Sequence, residues 1–274
     1  MRFLVFVMSL MLATASIAQD RRPSHCIALA DAGGPLLHQA SFRDPVPSSD
    51  VVRITYIDHA TFYLQTHGGL EVATDFTGYL GAVSNQPDVV TMNHAHSSHW
   101  THAPHPSIPH VLRGWGSDGA RADHHLDLDE MLIRNVTTDI RSRLGTGSET
   151  DGNSIFVFEV AGLCIGHLGH LHHEPDVDQY ARLGRLDVVM AAIDGGLSLD
   201  TPTMMRVLKR LRASIVIPMH WFGRSSLNAF LSGMSGDFDV VDVPDTHIEI
   251  SARTLPKRPT IMVITPGYQL VPEE

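Results

Sequence analysis

Residues 89–92 read Val-Val-Thr-Met, a short run of β-forming side chains. The chain then passes directly into Asn93-His94-Ala95-His96-Ser97-Ser98-His99. Three imidazoles packed against one strand end constrain this chain more than any other feature. Two histidines at a spacing of two converge on one ion if the backbone is extended or turning. A third, three residues later, can reach in from a first helical turn. Imidazole is a good ligand for zinc, iron, nickel and copper. The plain alternative is a polar loop that is merely rich in histidine. Composition weighs against it: of 18 histidines, 12 fall in the two windows 94–125 and 167–173. The 2 cysteines exclude a disulfide scaffold, a four-thiolate iron–sulfur cluster and a four-cysteine zinc site.

The second window, His167-Leu168-Gly169-His170-Leu171-His172-His173, also follows an apolar run. Its histidines cannot all bind one ion, and His170 is the preferred ligand. His220 closes a third run, Ile215-Val216-Ile217-Pro218-Met219. Strand ends on one edge of a sheet can meet around one site. The expected metal ligands are therefore His94, His96, His99, His170 and His220. His102, His105, His110, His124 and His125 either line the mouth of that site or lie exposed. Trp100, Trp115 and Trp221 are candidates for an aromatic wall beside a substrate, with core packing the alternative for each. Arg113 and Arg224 are candidates to hold a small anionic group.

A net charge of -10 argues against a nucleic-acid partner and against adhesion to anionic membrane. A hydrophobic content of 43% can build a large core. Arg2, the apolar stretch 3–13 and the small residues Ser16 and Ala18 read as an export signal. The apolar run is shorter than the roughly 20 residues that span a bilayer, so no stable membrane anchor is expected. Residues 1–18 are expected to be a cleaved signal peptide, 19–50 an irregular lead-in and 51–274 a single domain, periplasmic or secreted. In that setting Cys26 and Cys164 could pair, or Cys164 could be a small buried hydrophobe.

Strands are predicted over 51–57, 61–66, 70–74, 89–92, 111–113, 126–135, 154–160, 163–166, 186–193 and 213–218. Helices are predicted over 177–183, 203–212 and 226–234. Strands dominate the first half and strand–helix alternation the second, which predicts mixed sheets covered by helices. Residues 141–153, with several Gly, Ser and Thr, are expected to form an exposed loop and are a candidate lid. The tail from 256 onward reads as extended.

In order, the motifs resemble those of metallo-β-lactamase-fold hydrolases, in the branch similar to bacterial sugar-lactone lactonases. Ile57-Asp58-His59-Ala60-Thr61-Phe62 resembles that family's Gly-His-Ala turn, and Thr74-Asp75-Phe76 its Thr-Asp-Pro turn. His94, His96, Ser98 and His99 match a His-x-His-x-Asp-His signature. Residues 167–173 resemble His-Leu-Gly-Asp-Leu-Gly-His, Gly195-Gly196 a Gly-Gly turn, and Ile217-Pro218-Met219-His220 an Ile-Pro-Met-His motif. The match runs over residues 51–225. It implies an α/β fold (α+β by some schemes), an αββα four-layer sandwich of two mixed β-sheets flanked by helices.

The departures fall on the metal centre. Ser98 stands where the family has the aspartate that binds a second metal and orients water. His170 stands where it has a bridging aspartate. Thr138-Asp139, before Gly152-Asn153, stands where it has a further histidine. The expectation is one zinc ion rather than two, with iron or manganese also suited, on three or four histidines with one position left for water. Asp75 or Asp194 could accept a proton or orient a ligand histidine. His59, Ser98 and His167 are expected close behind the ligands.

The function these residues imply is an exported hydrolase in which metal-bound hydroxide attacks a lactone, ester or amide carbonyl of a small molecule. One alternative is a mononuclear iron or manganese oxidoreductase on the same fold. Another is a non-catalytic periplasmic protein that binds metal or ligand, to which the loss of both carboxylates points. Assembly as a homo-oligomer is compatible with either.

Overall fold

The computed structural model describes residues 21–27, 44–81, 85–117, 120–142 and 147–267. The expected signal peptide and most of the lead-in lie outside the described residues. One sheet contains β1 (Val52–Asp58), β2 (Thr61–Thr66), β3 (Glu71–Ala73), β4 (Val89–Met92), β5 (His110–Arg113) and β13 (His247–Ile250), in the order β13-β1-β2-β3-β4-β5. The other contains β6 (His125–Asp127), β7 (Met131–Arg141), β8 (Ser148–Val160), β9 (Leu163–His167), β10 (Val188–Ala192), β11 (Ile215–Met219), β12 (Asp239–Val243) and β14 (Thr260–Ile264). Its order is β12-β14-β11-β10-β9-β8-β7-β6. Both sheets mix parallel and antiparallel pairs. The helices are α1 (Val177–Leu183), α2 (Thr201–Leu211) and α3 (Arg224–Met234).

Alternation along single strands builds the layers. From β8, Phe156, Phe158 and Val160 enter the core between the sheets, while Ile155 and Val157 face the helices. Helix α2 presents Met204, Val207 and Leu208 at helical spacing to that second core, and Asp200 caps it by accepting from Thr203 N. On the far side of the six-stranded sheet, Phe76, Leu80, Ile108, Trp100 and Trp115 pack as a third cluster. Among the described residues that outer layer is loop rather than helix.

Two sequence expectations need correction. Residues 126–135 are not one strand but β6 and the start of β7, turned at Asp129 with φ 63. Residues 148–153 are not a lid: they are the start of β8, paired with β7 from Thr138↔Asn153 to Arg141↔Ser148. Ser148, Glu149 and Thr150 of this hairpin extension are exposed, and no apolar alternation marks it. Residues 143–146 lie outside the described residues.

Strands β12 and β13 have no counterpart in the sequence reading. In β13 the buried Glu249 sits opposite the fully buried Arg53 of β1, and Arg53 Nε donates to Glu249 Oε1 at 3.0 Å. A charged pair inside a strand pairing hides that pairing from hydropathy. Pro218 is tolerated inside β11 because β14 pairs only with Ile215 and Val216, so the ladder on that side has ended before it.

Cys26 and Cys164 form a disulfide, with Cα atoms 5.8 Å apart, which fastens residues 21–27 to β9.

Topology decides where the histidines meet. β1 and β3 both run antiparallel to β2, and β4 runs parallel to β3, so β1, β3 and β4 end on one edge. Those ends deliver His59, Asp75 and His94. In the second sheet β9, β10 and β11 are parallel and end together. They deliver His167 and His170, Asp194, and His220. Cross-sheet hydrogen bonds join the two edges: Ser154 N donates to Asn93 O (3.0 Å) and His220 N to His59 O (2.9 Å).

Candidate metal centre

Six imidazoles gather at this edge. His99 is the hub, with ring centroids 4.6 Å from His170, 5.1 Å from His220, 5.4 Å from His59 and 6.0 Å from His96. His94 lies 5.7 Å from His170, and His96 lies 5.8 Å from it. All five expected ligands are therefore brought together. His59, read from sequence only as a neighbour, joins them at 3.9 Å from His220. His172 extends the cluster, 4.7 Å from His170.

Polar groups behind the rings fix their orientation. His94 Nδ1–H donates to Gly152 O at 2.7 Å. His99 Nδ1–H donates to Asp75 Oδ2 at 2.7 Å, and Asp75 Oδ1 accepts from Asn93 N at 2.9 Å. His220 Nδ1 lies 2.9 Å from Asp194 Oδ2, too oblique for a well-formed hydrogen bond. Asp194 also accepts from the N–H groups of Gly196 and Ser198. Both aspartates thus stand behind histidines, in the place of partners that orient metal ligands. Ser98 Oγ sits 2.9 Å from His96 Nδ1. His167 serves the scaffold: its Nε2–H donates to Ala60 O (2.8 Å), and Nδ1 accepts from Asn93 Nδ2 (3.1 Å).

Burial favours the neutral, metal-binding form of His59, His99, His170 and His172. It pushes the His59 pKa down to about 3, helped by His220 and His99. It holds His99 and His170 well below the usual histidine range, aided by neighbouring rings, and takes His172 to about 4. Burial raises Asp75 to about 6. Burial would raise Asp194 too, but His220 and the donors from Ser198 and Gly196 outweigh it and hold this carboxyl low.

The residues fit a cation. His59 Nε2, His99 Nε2 and His170 Nδ1 are buried without a hydrogen-bond partner. A buried orphan polar atom is costly, and a metal ion satisfies such a lone pair. Among the described residues, His59, His99 and His220 each offer a ligand atom within 4.8 Å of the others.

Asn93 and Gly169 escaped the sequence reading. Asn93 is fully buried and bonds Asp75, Ser154 and His167. Its only sequence signal is its place between a strand and a histidine pair. Gly169 has φ 60, and a Cβ there would stand 2.4 Å from Asn93 Nδ2. Gly169→Ala is expected to cost about 1–3 kcal/mol through backbone strain and overpacking. It should also weaken metal binding by displacing His170; an unaltered metal titration would show that this contact does not position the site.

A cleft of about 300 Å³ opens beside His94, lined by Trp115, Arg121, Glu149, Asp151 and Gly152 among others. Of the three tryptophans, Trp115 lines it and also packs against the third cluster. Trp100 packs edge-on against Trp115 at 5.5 Å, and Trp221 packs on the helix-side core. Arg113 and Arg224 are exposed, and the cation lining the cleft is Arg121. At the site itself the apolar wall is Phe222, 66% exposed, with its ring 5.1 Å from His220 and 5.6 Å from His59. His102 and His105 are exposed, and His124 Nε2–H donates to Arg113 O.

The sequence profile of the beta-lactamase superfamily domain matches residues 53–220, from β1 to His220. The chain belongs to the metallo-β-lactamase superfamily. A UPF0173 metal-dependent hydrolase of Methanosphaerula palustris is 25% identical over 184 residues, covering 62% of this chain and 84% of that protein. The fold is shared with a candidate zinc-dependent hydrolase of the superfamily from Thermotoga maritima, with TM-score 0.56 and 22% identity over 78% of this chain and 98% of that one. It is shared also with the CmlA β-hydroxylase, with TM-score 0.53 and 11% identity over 76% of this chain and 55% of that one. The superfamily architecture of two mixed sheets accounts for the convergence of strand ends described above.

Proposed function

We propose that the protein is an exported metal-dependent hydrolase acting on a carbonyl of a small molecule: a lactone, ester or amide. The observation that carries this reading is the convergence of His59, His99 and His220, each offering a ligand atom within 4.8 Å of the others, with Asp75 and Asp194 behind the rings of His99 and His220. These histidines would hold the metal, and a zinc ion there would supply the Lewis acidity to polarise a carbonyl oxygen and acidify water at neutral pH. The chain's own residues do the rest. Asp75 holds His99 in the tautomer that turns Nε2 inward. Asp194 stands behind His220. Phe222 sets an apolar ring beside His220 and His59, and the cleft beside His94 is of a size for a small substrate. The motifs resembling sugar-lactone lactonases support lactones as the first substrates to assay. The charge of -10 speaks against nucleic acid, and the Cys26–Cys164 disulfide favours an oxidising compartment.

Apoprotein loaded with zinc, iron or manganese is expected to turn over at least one member of a panel of lactones, esters and amides. Chelation should abolish the activity and one equivalent of metal should restore it. A metal-loaded protein inert across the panel would favour the non-catalytic reading. The fold shared with a β-hydroxylase supports a second reading, an iron or manganese oxidoreductase. Oxygen consumption by the iron-loaded protein separates the two.

A further inference from the structure

We propose that His59 is itself a metal ligand, forming with His99 and His220 a three-imidazole site in which it stands in for the carboxylate that Ser98 no longer supplies. The proposal rests on the metal-centre reading above and deepens it. Three observations carry it.

The first is convergence. The ligand atoms of these three residues lie within 4.8 Å of one another, and His59 Nε2 is buried with no hydrogen-bond partner. The second is that the backbone is built to hold His59 there. It has φ 48, in the left-handed region that a histidine seldom occupies. The β1–β2 pairing shifts register between Tyr56 and Asp58, immediately before it. Its carbonyl accepts from the Tyr56 hydroxyl at 2.7 Å and from His220 N at 2.9 Å. The second of those bonds ties the His59 turn directly to another of the three residues, whose own φ is 58. Such conformations persist where surrounding contacts over-determine them, and they cluster at functional sites. The third is the disposition of Ser98. Its hydroxyl lies 2.9 Å from His96 Nδ1, and a neutral hydroxyl supplies none of the charge of a carboxylate ligand.

The chemical consequence is a cation held by neutral nitrogen donors, with Asp75 and Asp194 behind the rings of His99 and His220. Such a set favours zinc, cobalt, nickel or copper over magnesium, calcium or manganese.

The test is titration of apoprotein with Co(II), read by visible absorption, in the wild type and in His59→Asn. Asparagine tolerates left-handed backbone, so this variant should keep the turn. The expected result is a loss of Co(II) affinity of roughly a hundredfold or more and an altered spectrum. The circular dichroism and melting of the apo variant should stay close to wild type. Unchanged affinity with an unchanged spectrum overturns the proposal. If the variant fails to fold, diffraction from zinc-soaked wild-type crystals at the zinc edge decides. A peak in bonding range of His59 Nε2 supports the proposal, and peaks only among His94, His96 and His170 overturn it. Failure of the hydrolase reading looks different: metal at His59 with no turnover on the panel.

Discussion

Replacing His99 with alanine is expected to lower kcat/KM on the best panel substrate roughly a thousandfold or more, because metal chemistry is lost with the ligand. The residue is fully buried, and its ring neighbours His59, His96, His170 and His220. Removing it takes a donor from the site proposed on His59, His99 and His220. Asp75→Ala is the informative comparison. It leaves all the imidazoles in place and removes only the carboxylate that holds the His99 tautomer. Loss of such a partner costs about 10–100-fold in affinity or activity. The ordering of the two variants therefore separates a ligand from the group that orients it. Elemental analysis should show His99→Ala with less than one equivalent of bound metal. A variant that keeps its full metal content and turnover would mean that the centre lies elsewhere.

The site was legible in the sequence to the extent that strand ends are. His94 and His220 each follow closely on an apolar run, with His96 and His99 within five residues of His94, and polar residues at such places are conspicuous. Parallel ends on one sheet edge then had only one way to meet. His59 was harder to rank because it sits alone in a two-residue turn. Its importance comes from a backbone bond to His220, 161 positions away, and no local pattern encodes that. Asn93 and Gly169 are in the same position: one bonds three elements, and the other leaves room for it. Ser98 and His170 were legible as departures, and the structure adds that His59 lies beside His99 and His220. The hairpin extension of β7 and β8 was misread for the opposite reason. Its β8 arm, residues 148–153, carries no apolar side chain although Asn153 is fully buried, and polar strands resemble loops. Strand β13 was missed because its charged residue, Glu249, is buried by pairing with Arg53 rather than by hydropathy.

Replacing both Cys26 and Cys164 with serine is expected to lower stability by as much as about 5 kcal/mol, since the bridge closes a loop of 138 residues. That is a fall in Tm of roughly 10–20 °C for a domain of this size. The estimate counts only the freedom returned to the unfolded chain, so it is an upper figure for the entropic effect. The folded state also has something to lose. Residues 21–27 are tied to the domain by the bridge and by Glu159, which accepts from the Ser24 hydroxyl and from His25 N. Glu159 in turn binds Arg134, whose guanidinium donates to the last carbonyls of α1, those of Arg182 and Leu183. Burial would raise the Glu159 pKa, but Ser24 and Arg134 outweigh it and hold the carboxyl below its ordinary value. A depressed carboxylate stabilises the fold above its unfolded pKa, and that contribution is lost as pH falls through the folded one. The double serine variant should therefore melt lower at neutral pH and lose further stability on acidification. Because the bridge lies on the opposite end of β9 from His167, metal affinity measured below the melting transition should be unchanged. A Tm within 2–3 °C of wild type, about 1 kcal/mol, would show that the bridge does not restrain the unfolded chain as argued.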